Sequence, residues 1–117
     1  MENGFPTSMF IIWLAIVVLM IAGMWKIFEK AGKPGWAAII PIYNMIVLLE
    51  IIDRPLWWII LLFIPIVNIV FGILITIELA KSFGKDMAYA IGMILLPFIF
   101  YPMLGFGDAQ FEGASHA

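Results

Sequence analysis

At 117 residues, 65% hydrophobic and 12% charged, with a mean hydropathy of +1.13, the chain carries more apolar surface than a soluble domain of its size can bury. A formal net charge of −2, with six scattered Lys and Arg, offers no patch for a phosphate backbone and excludes nucleic acid as a partner. The absence of cysteine excludes disulfides, thiolate metal sites and thiol catalysis together.

The fold class these figures point to is an all-α integral membrane protein whose first partner is the lipid bilayer. Its charges divide it into apolar segments. The first, about 8–28, takes most of its length from the 23 uncharged residues between Glu2 and Lys26, enough to cross a hydrocarbon core that needs about 20. Its leader, Met1 to Ser8, has Glu2 and no basic residue, so it reads as a membrane helix rather than a cleaved signal peptide. The second, 36–52, is short, with 16 uncharged residues between Lys33 and Glu50. It either crosses with some mismatch or re-enters as a hairpin. The third, 55–83, contains 23 uncharged residues between Arg54 and Glu78, and the fourth, 87–104, lies among 21 between Asp86 and Asp108. Asp53 before Pro55, and Asp86 before the last run, read as helix N-cap signals.

The sequence therefore predicts a single domain over 1–104 with four transmembrane helices, the second and third Pro-interrupted, and a flexible tail over 105–117. The alternative is three spans plus a re-entrant hairpin. With four crossings and the N-terminus outside, Lys26, Lys30, Lys33, Lys81 and Lys85 face the cytoplasm and only Arg54 faces out. The C-terminus is then also outside. Trp13, Trp57, Trp58 and Tyr101 fall near one interface, and Trp25, Trp36 and Tyr89 near the other.

A repeat interrupts this pattern. Ile40-Pro41-Ile42-Tyr43-Asn44 recurs as Ile64-Pro65-Ile66-Val67-Asn68, each copy preceded by a basic-Pro-x-Trp entry, Lys33-Pro34-Gly35-Trp36 and Arg54-Pro55-Leu56-Trp57. Pro97 and Pro102 repeat the theme loosely. A helical proline frees the carbonyl four residues back, Ala37 for Pro41 and Leu61 for Pro65, and in lipid that group must find a donor. Asn44 and Asn68, three residues along, can donate to backbone as structural glue. They can also form a midplane polar site with Pro41 and Pro65, as in transporters built from inverted repeats.

Glu50 and Glu78 are the acids inside apolar segments. Glu50 stands four residues before Arg54 and Glu78 three before Lys81, which reads as two interfacial ion pairs. Asn68, Gly72, Thr76 and Ala80 recur at four-residue spacing, with Gly72, Thr76 and Ala80 a candidate helix-packing face. Ala88 and Gly92 form a shorter version. The single histidine, His116, lies in the tail, so no catalytic, metal or cofactor-binding set is assembled, and no phosphate loop is present. Ser82 beside Lys81 lacks the buried lysine of a Ser-Lys mechanism.

Glu29-Lys30-Ala31-Gly32-Lys33-Pro34-Gly35-Trp36-Ala37-Ala38 running into the first repeat, Arg54-Pro55-Leu56-Trp57-Trp58, the second repeat, Leu79-Ala80-Lys81-Ser82-Phe83-Gly84-Lys85 and Pro102-Met103-Leu104-Gly105-Phe106 resemble a domain of unknown function of small bacterial inner-membrane proteins. In some bacteria that domain is fused ahead of a signal peptidase I. The resemblance covers about 26–111 and implies a compact multi-helix module in the bacterial inner membrane, with no activity and no catalytic residue carried over. The expected function is a non-enzymatic membrane module that self-associates as a homo-oligomer or binds a membrane-protein partner. The alternative is a small channel or transporter subunit whose pathway passes Asn44, Asn68 and Glu50.

Overall fold

The computed structural model describes residue 4 and residues 6–113. Six α-helices and one 3-10 turn make up the described residues, with no strand among them: α1 (Thr7–Lys30), the 3-10 turn Gly35–Ala38, α2 (Pro41–Ile51), α3 (Trp58–Leu61), α4 (Val67–Ser82), α5 (Met87–Leu95) and α6 (Pro97–Phe106). The all-helical class holds. The predicted helices at 36–52, 55–83 and 87–104 are each divided in two at a proline, where the sequence predicts the first two as Pro-interrupted and the last as continuous.

Of these helices only α1 is long and apolar enough to cross a membrane. Its 24 residues extend about 36 Å at ~1.5 Å per residue. Its outer half is bare, with Met9 through Leu14 all exposed, while Gly23, Ile27 and Phe28 are buried against the rest of the chain.

Three helices end in the same way. Gly32 (φ 77°), Asp53 (φ 56°) and Gly84 (φ 75°) take the left-handed conformation just past α1, α2 and α4. The next N–H then reaches back to the helix: Lys33 N to Phe28 O at 2.8 Å, Arg54 N to Leu49 O at 2.9 Å and Lys85 N to Ala80 O at 2.9 Å. This is the Schellman cap, which satisfies carbonyls the helix end leaves over. In each case the following residue is basic, where the negative end of the helix dipole favours it. Asp53 is thus a C-terminal cap of α2, not the N-cap that its position before Pro55 suggested. Asp86 does cap α5, accepting the Tyr89 N–H at 3.0 Å.

From each cap the chain descends, turns at a proline and returns. The tips are Ile39-Ile40-Pro41-Ile42, Phe63-Ile64-Pro65-Ile66 and Leu95-Leu96-Pro97-Phe98, and their large apolar side chains are all exposed. One aromatic pair braces the two arms of each hairpin: Trp36 on Tyr43 at 5.2 Å, Trp58 on Phe71 at 5.0 Å and Tyr89 on Phe100 at 5.1 Å between ring centroids. The duplication read in the sequence is therefore a triplication in space. Pro41 and Pro97 open α2 and α6 at their first turn, where the missing N–H costs nothing. Pro65 lies in a turn before α4, and Ile66 beyond it has φ 72° and ψ −52°, a γ-turn closed by Val67 N to Pro65 O at 2.8 Å.

The core forms where the hairpins meet α1, around Phe28, Leu49, Ile52, Leu79, Phe83 and Leu104. Residues 107–113 are seated on it rather than trailing as a flexible tail from Gly105. Glu112 N donates to Ser82 O at 2.7 Å and Phe111 packs on Phe83 at 5.6 Å. Lys30 Nζ donates to Leu104 O at 2.7 Å and Gly107 O at 2.9 Å, so this segment sits at the Lys30 end of α1, away from Thr7. Residues 114–117 lie outside the described residues.

The closest helix crossing joins α1 and α6. A Cβ on Gly23 would lie 2.9 Å from Pro102 Cα, and one on Gly105 would collide with Gly23 O. Gly105→Leu is expected to destabilise the fold by roughly 1–3 kcal/mol through overpacking. Gly72→Leu, with nothing within 4 Å of its Cβ position, is expected to leave the stability of the monomer unchanged. Thermal unfolding of both variants in one detergent checks the contrast.

Candidate functional site

The charged residues described, from Lys26 to Glu112, collect at the end of the bundle where the three hairpins open. Arg54 Nε and Nη2 donate to the two Glu78 carboxylate oxygens at 2.7 and 2.6 Å, a bidentate pair with Glu78 buried. The Arg54 guanidinium also lies 4.9 Å from the Trp58 ring centroid. The Glu78 hydrogen bonds raise the Arg54 pKa, burial opposes the rise, and attraction to Glu78 and Asp53 adds to it. Lys33 Nζ stands 3.5 Å from Glu50. Lys26 and Glu29 pair at 3.7 Å on α1. Lys85 lies 5.2 Å over the Tyr89 ring.

These contacts replace the predicted pairs. Glu50 pairs with Lys33 rather than Arg54, because the chain leaves the helix at Asp53 and the four-residue spacing no longer places the side chains on one face. Glu78 pairs with Arg54 rather than Lys81, which is exposed. Both observed pairs join a cap's basic residue to a glutamate on the arm that returns. Each hairpin is thereby closed at its open end, and the two ends of 36–52 lie side by side.

The repeat asparagines do not share a site. Asn44 Nδ2 donates to Ala38 O at 3.1 Å, so its amide serves the backbone of its own hairpin. The carbonyls expected to be orphaned are taken by tight turns instead, Ala37 O by Ile40 N and Leu61 O by Ile64 N, each at 3.3 Å. Asn68 is exposed on α4, and its side chain makes no hydrogen bond with the described residues. Pro41 and Pro65 sit at hairpin tips, not inside helices.

The small-residue face divides. Ala80 is buried and Thr76 is half-buried, donating to Gly72 O at 2.9 Å. Gly72 faces open space. The crossing that the sequence reading missed is Gly23 with Pro102 and Gly105. Its signal is a lone glycine in the longest apolar helix, matched by a glycine three residues after a proline near the chain's other end.

Two polar hollows open beside the rim. One of about 580 Å³ is lined by Gly84, Lys85, Tyr89, Asp108 and Glu112, and one of about 680 Å³ by Lys30, Asp108 and Gln110. Ser82 Oγ is buried and donates to Leu79 O at 2.7 Å, so it is spent on its own helix. Among the described residues no three His, Cys, Asp or Glu gather as a metal site.

The chain belongs to a family of unknown function, DUF5684. The family model matches residues 36–114, which span the 3-10 turn, α2–α6 and the docked segment, and leaves α1 outside. No curated protein and no solved structure shows significant similarity to it.

Arg54→Glu and Glu78→Arg are each expected to lower the melting temperature by about 5 °C or more, because each leaves like charges facing in a partly buried setting. The double swap is expected to recover part of the loss. Asn44→Ala is expected to cost roughly 1–2 kcal/mol, since Ala38 O loses its donor, while Asn68→Ala is expected to leave monomer stability unchanged. Unfolding in detergent reads out all five variants.

Proposed function

We propose that this is a non-enzymatic membrane module in which α1 crosses the bilayer once and the three hairpins re-enter from the side of its Lys30 end. The observation that carries this is the pairing of Lys33 with Glu50 and of Arg54 with Glu78, which returns each of those segments to the level where it started. Charged groups stay out of hydrocarbon at large cost otherwise, and the exposed tips are apolar throughout. All six Lys and Arg then lie on one face, a stronger positive-inside bias than four crossings provide. That face is cytoplasmic and the N-terminus is outside, in the bacterial inner membrane that the sequence resemblance implies.

The module associates with a second copy through the outer face of α4. Asn68 faces outward among exposed Ile69, Val70 and Ile73, and Gly72 one turn on leaves room for close approach. An amide turned toward lipid gains most from another amide on a facing helix.

Single cysteines at Gly4, Asp53, Lys81 and Gln110, labelled from outside in intact cells, test the topology. Label at Gly4 alone is expected, whereas label at Asp53 or Gln110 would restore a further crossing. Native mass in mild detergent tests association. A dimer is expected for the wild type and a monomer for Gly72→Leu and Asn68→Leu, and a wild type monomeric throughout would overturn self-association.

A further inference from the structure

We infer that the protein is a one-leaflet wedge that favours membranes convex on the side of its charged end, an inference that rests on the single-crossing reading above. The lengths of the elements carry it. From Thr7 to its first charge at Lys26, α1 measures about 29 Å, close to the ~30 Å of a hydrocarbon core. The hairpins are half as deep. Pro41 to Glu50 is about 14 Å of helix, Val67 to Glu78 about 17 Å, and α6 about 15 Å. With the ionic rim at the headgroups, the three proline tips stop near the bilayer midplane.

Burial along α1 gives the same division independently. Its inner part buries Gly23, Ile27 and Phe28, where α1 packs against the 3-10 turn and α6, while Met9 to Ile16 is exposed throughout. The near leaflet therefore receives α1 and both arms of three hairpins, and the far leaflet a single helix about 10 Å across. Bulk inserted into one leaflet alone expands that leaflet, and the bilayer relieves the difference by bending toward it. The tips suit this position. Ile39, Ile40, Phe63, Ile66, Leu95 and Phe98 present only apolar side chains to the midplane, where a polar group would have no partner. The ligand of this surface is the lipid leaflet itself.

The test uses the full chain in giant vesicles, where both orientations occur. An impermeant fluorophore on Gln110→Cys lights only copies with the charged end outward, and on Gly4→Cys only copies with it inward. Membrane tubes about 20 nm in radius are then pulled from the vesicles; the Gln110 population is expected to be enriched about threefold in the tube and the Gly4 population depleted. Equal density of both populations in tube and vesicle overturns the wedge, as does sorting of both in the same direction. The Gly72→Leu background is expected to sort with the same sign, because the asymmetry belongs to each chain; loss of sorting there overturns a wedge built into the monomer. The cysteine labelling in cells decides the topology separately. Outside label at Asp53 or Gln110 removes the single crossing, whereas label at Gly4 alone with unsorted tubes removes only the wedge.

Discussion

The bond between Arg54 and Glu78 sets the geometry of everything between them. A guanidinium and a carboxylate held at 2.6–2.7 Å must stand at one level, and neither charge is at home in hydrocarbon. The 23 uncharged residues that separate them therefore leave the charged end and return to it. Lys33 with Glu50 imposes the same closure on the first hairpin. The third is held without an ion pair: the Lys30 ammonium donates to Leu104 O and Gly107 O, and Glu112 N donates to Ser82 O. Depth follows from where the glutamates lie. Glu50 is nine residues from Pro41 and Glu78 eleven from Val67, so two hairpins of different total length reach similar depth.

Much of this was legible in the sequence, and what was not has physical causes. Composition points to a bilayer as the solvent, and the charges fall at the end of the bundle where the hairpins open. An uncharged run of 23 residues, however, satisfies a crossing and a hairpin equally, because hydropathy records no reversal of direction. The reversal depends on Ile66 at φ 72°, a state that β-branched residues rarely adopt and no propensity flags. Asp53 before Pro55 carries the signature of a helix start, yet tolerance of the left-handed region by Asp lets it end one instead. Ion pairs three or four residues apart are visible along a chain, whereas partners 17 and 24 residues apart become visible only after folding. The third hairpin lacks the Ile-Pro-Ile-x-Asn string. It shares the left-handed cap, the basic residue and the aromatic brace, features of geometry more than of identity.

The family match sharpens this division of labour. It begins at Trp36 and ends just past the docked segment, so the matched part holds most of the three-hairpin body and leaves α1 and the Lys33 cap outside. Gly23 against Pro102 and Gly105 is where the two are joined. The joint is backbone to backbone, which explains why neither large side chains nor charges announced it. Among the described helices of the hairpins none is long and apolar enough to cross a membrane, whereas α1 is, and its first half is bare.

The two copies of the repeat show how one backbone angle changes what the same residue does. Ile42 and Ile66 are equivalent, each following the tip proline, and Asn44 and Asn68 follow two residues later. Ile42 is helical, so α2 starts at Pro41 and brings Asn44 back over the 3-10 turn to bond Ala38 O. Ile66 is in a γ-turn, so α4 starts later, and its asparagine ends on the outer face with its amide unspent. Strain of this kind costs of order 1–3 kcal/mol and persists only where the surroundings hold it. Here the constraint is the Arg54–Glu78 bond, which pins both ends of a hairpin whose descending arm has three more residues than the first copy. The extra length must be absorbed at the tip, and the left-handed turn at Ile66 absorbs it. The same turn frees Asn68 for a neighbour, so the ion pair at one end of the second hairpin is the physical reason for the exposed amide near the other.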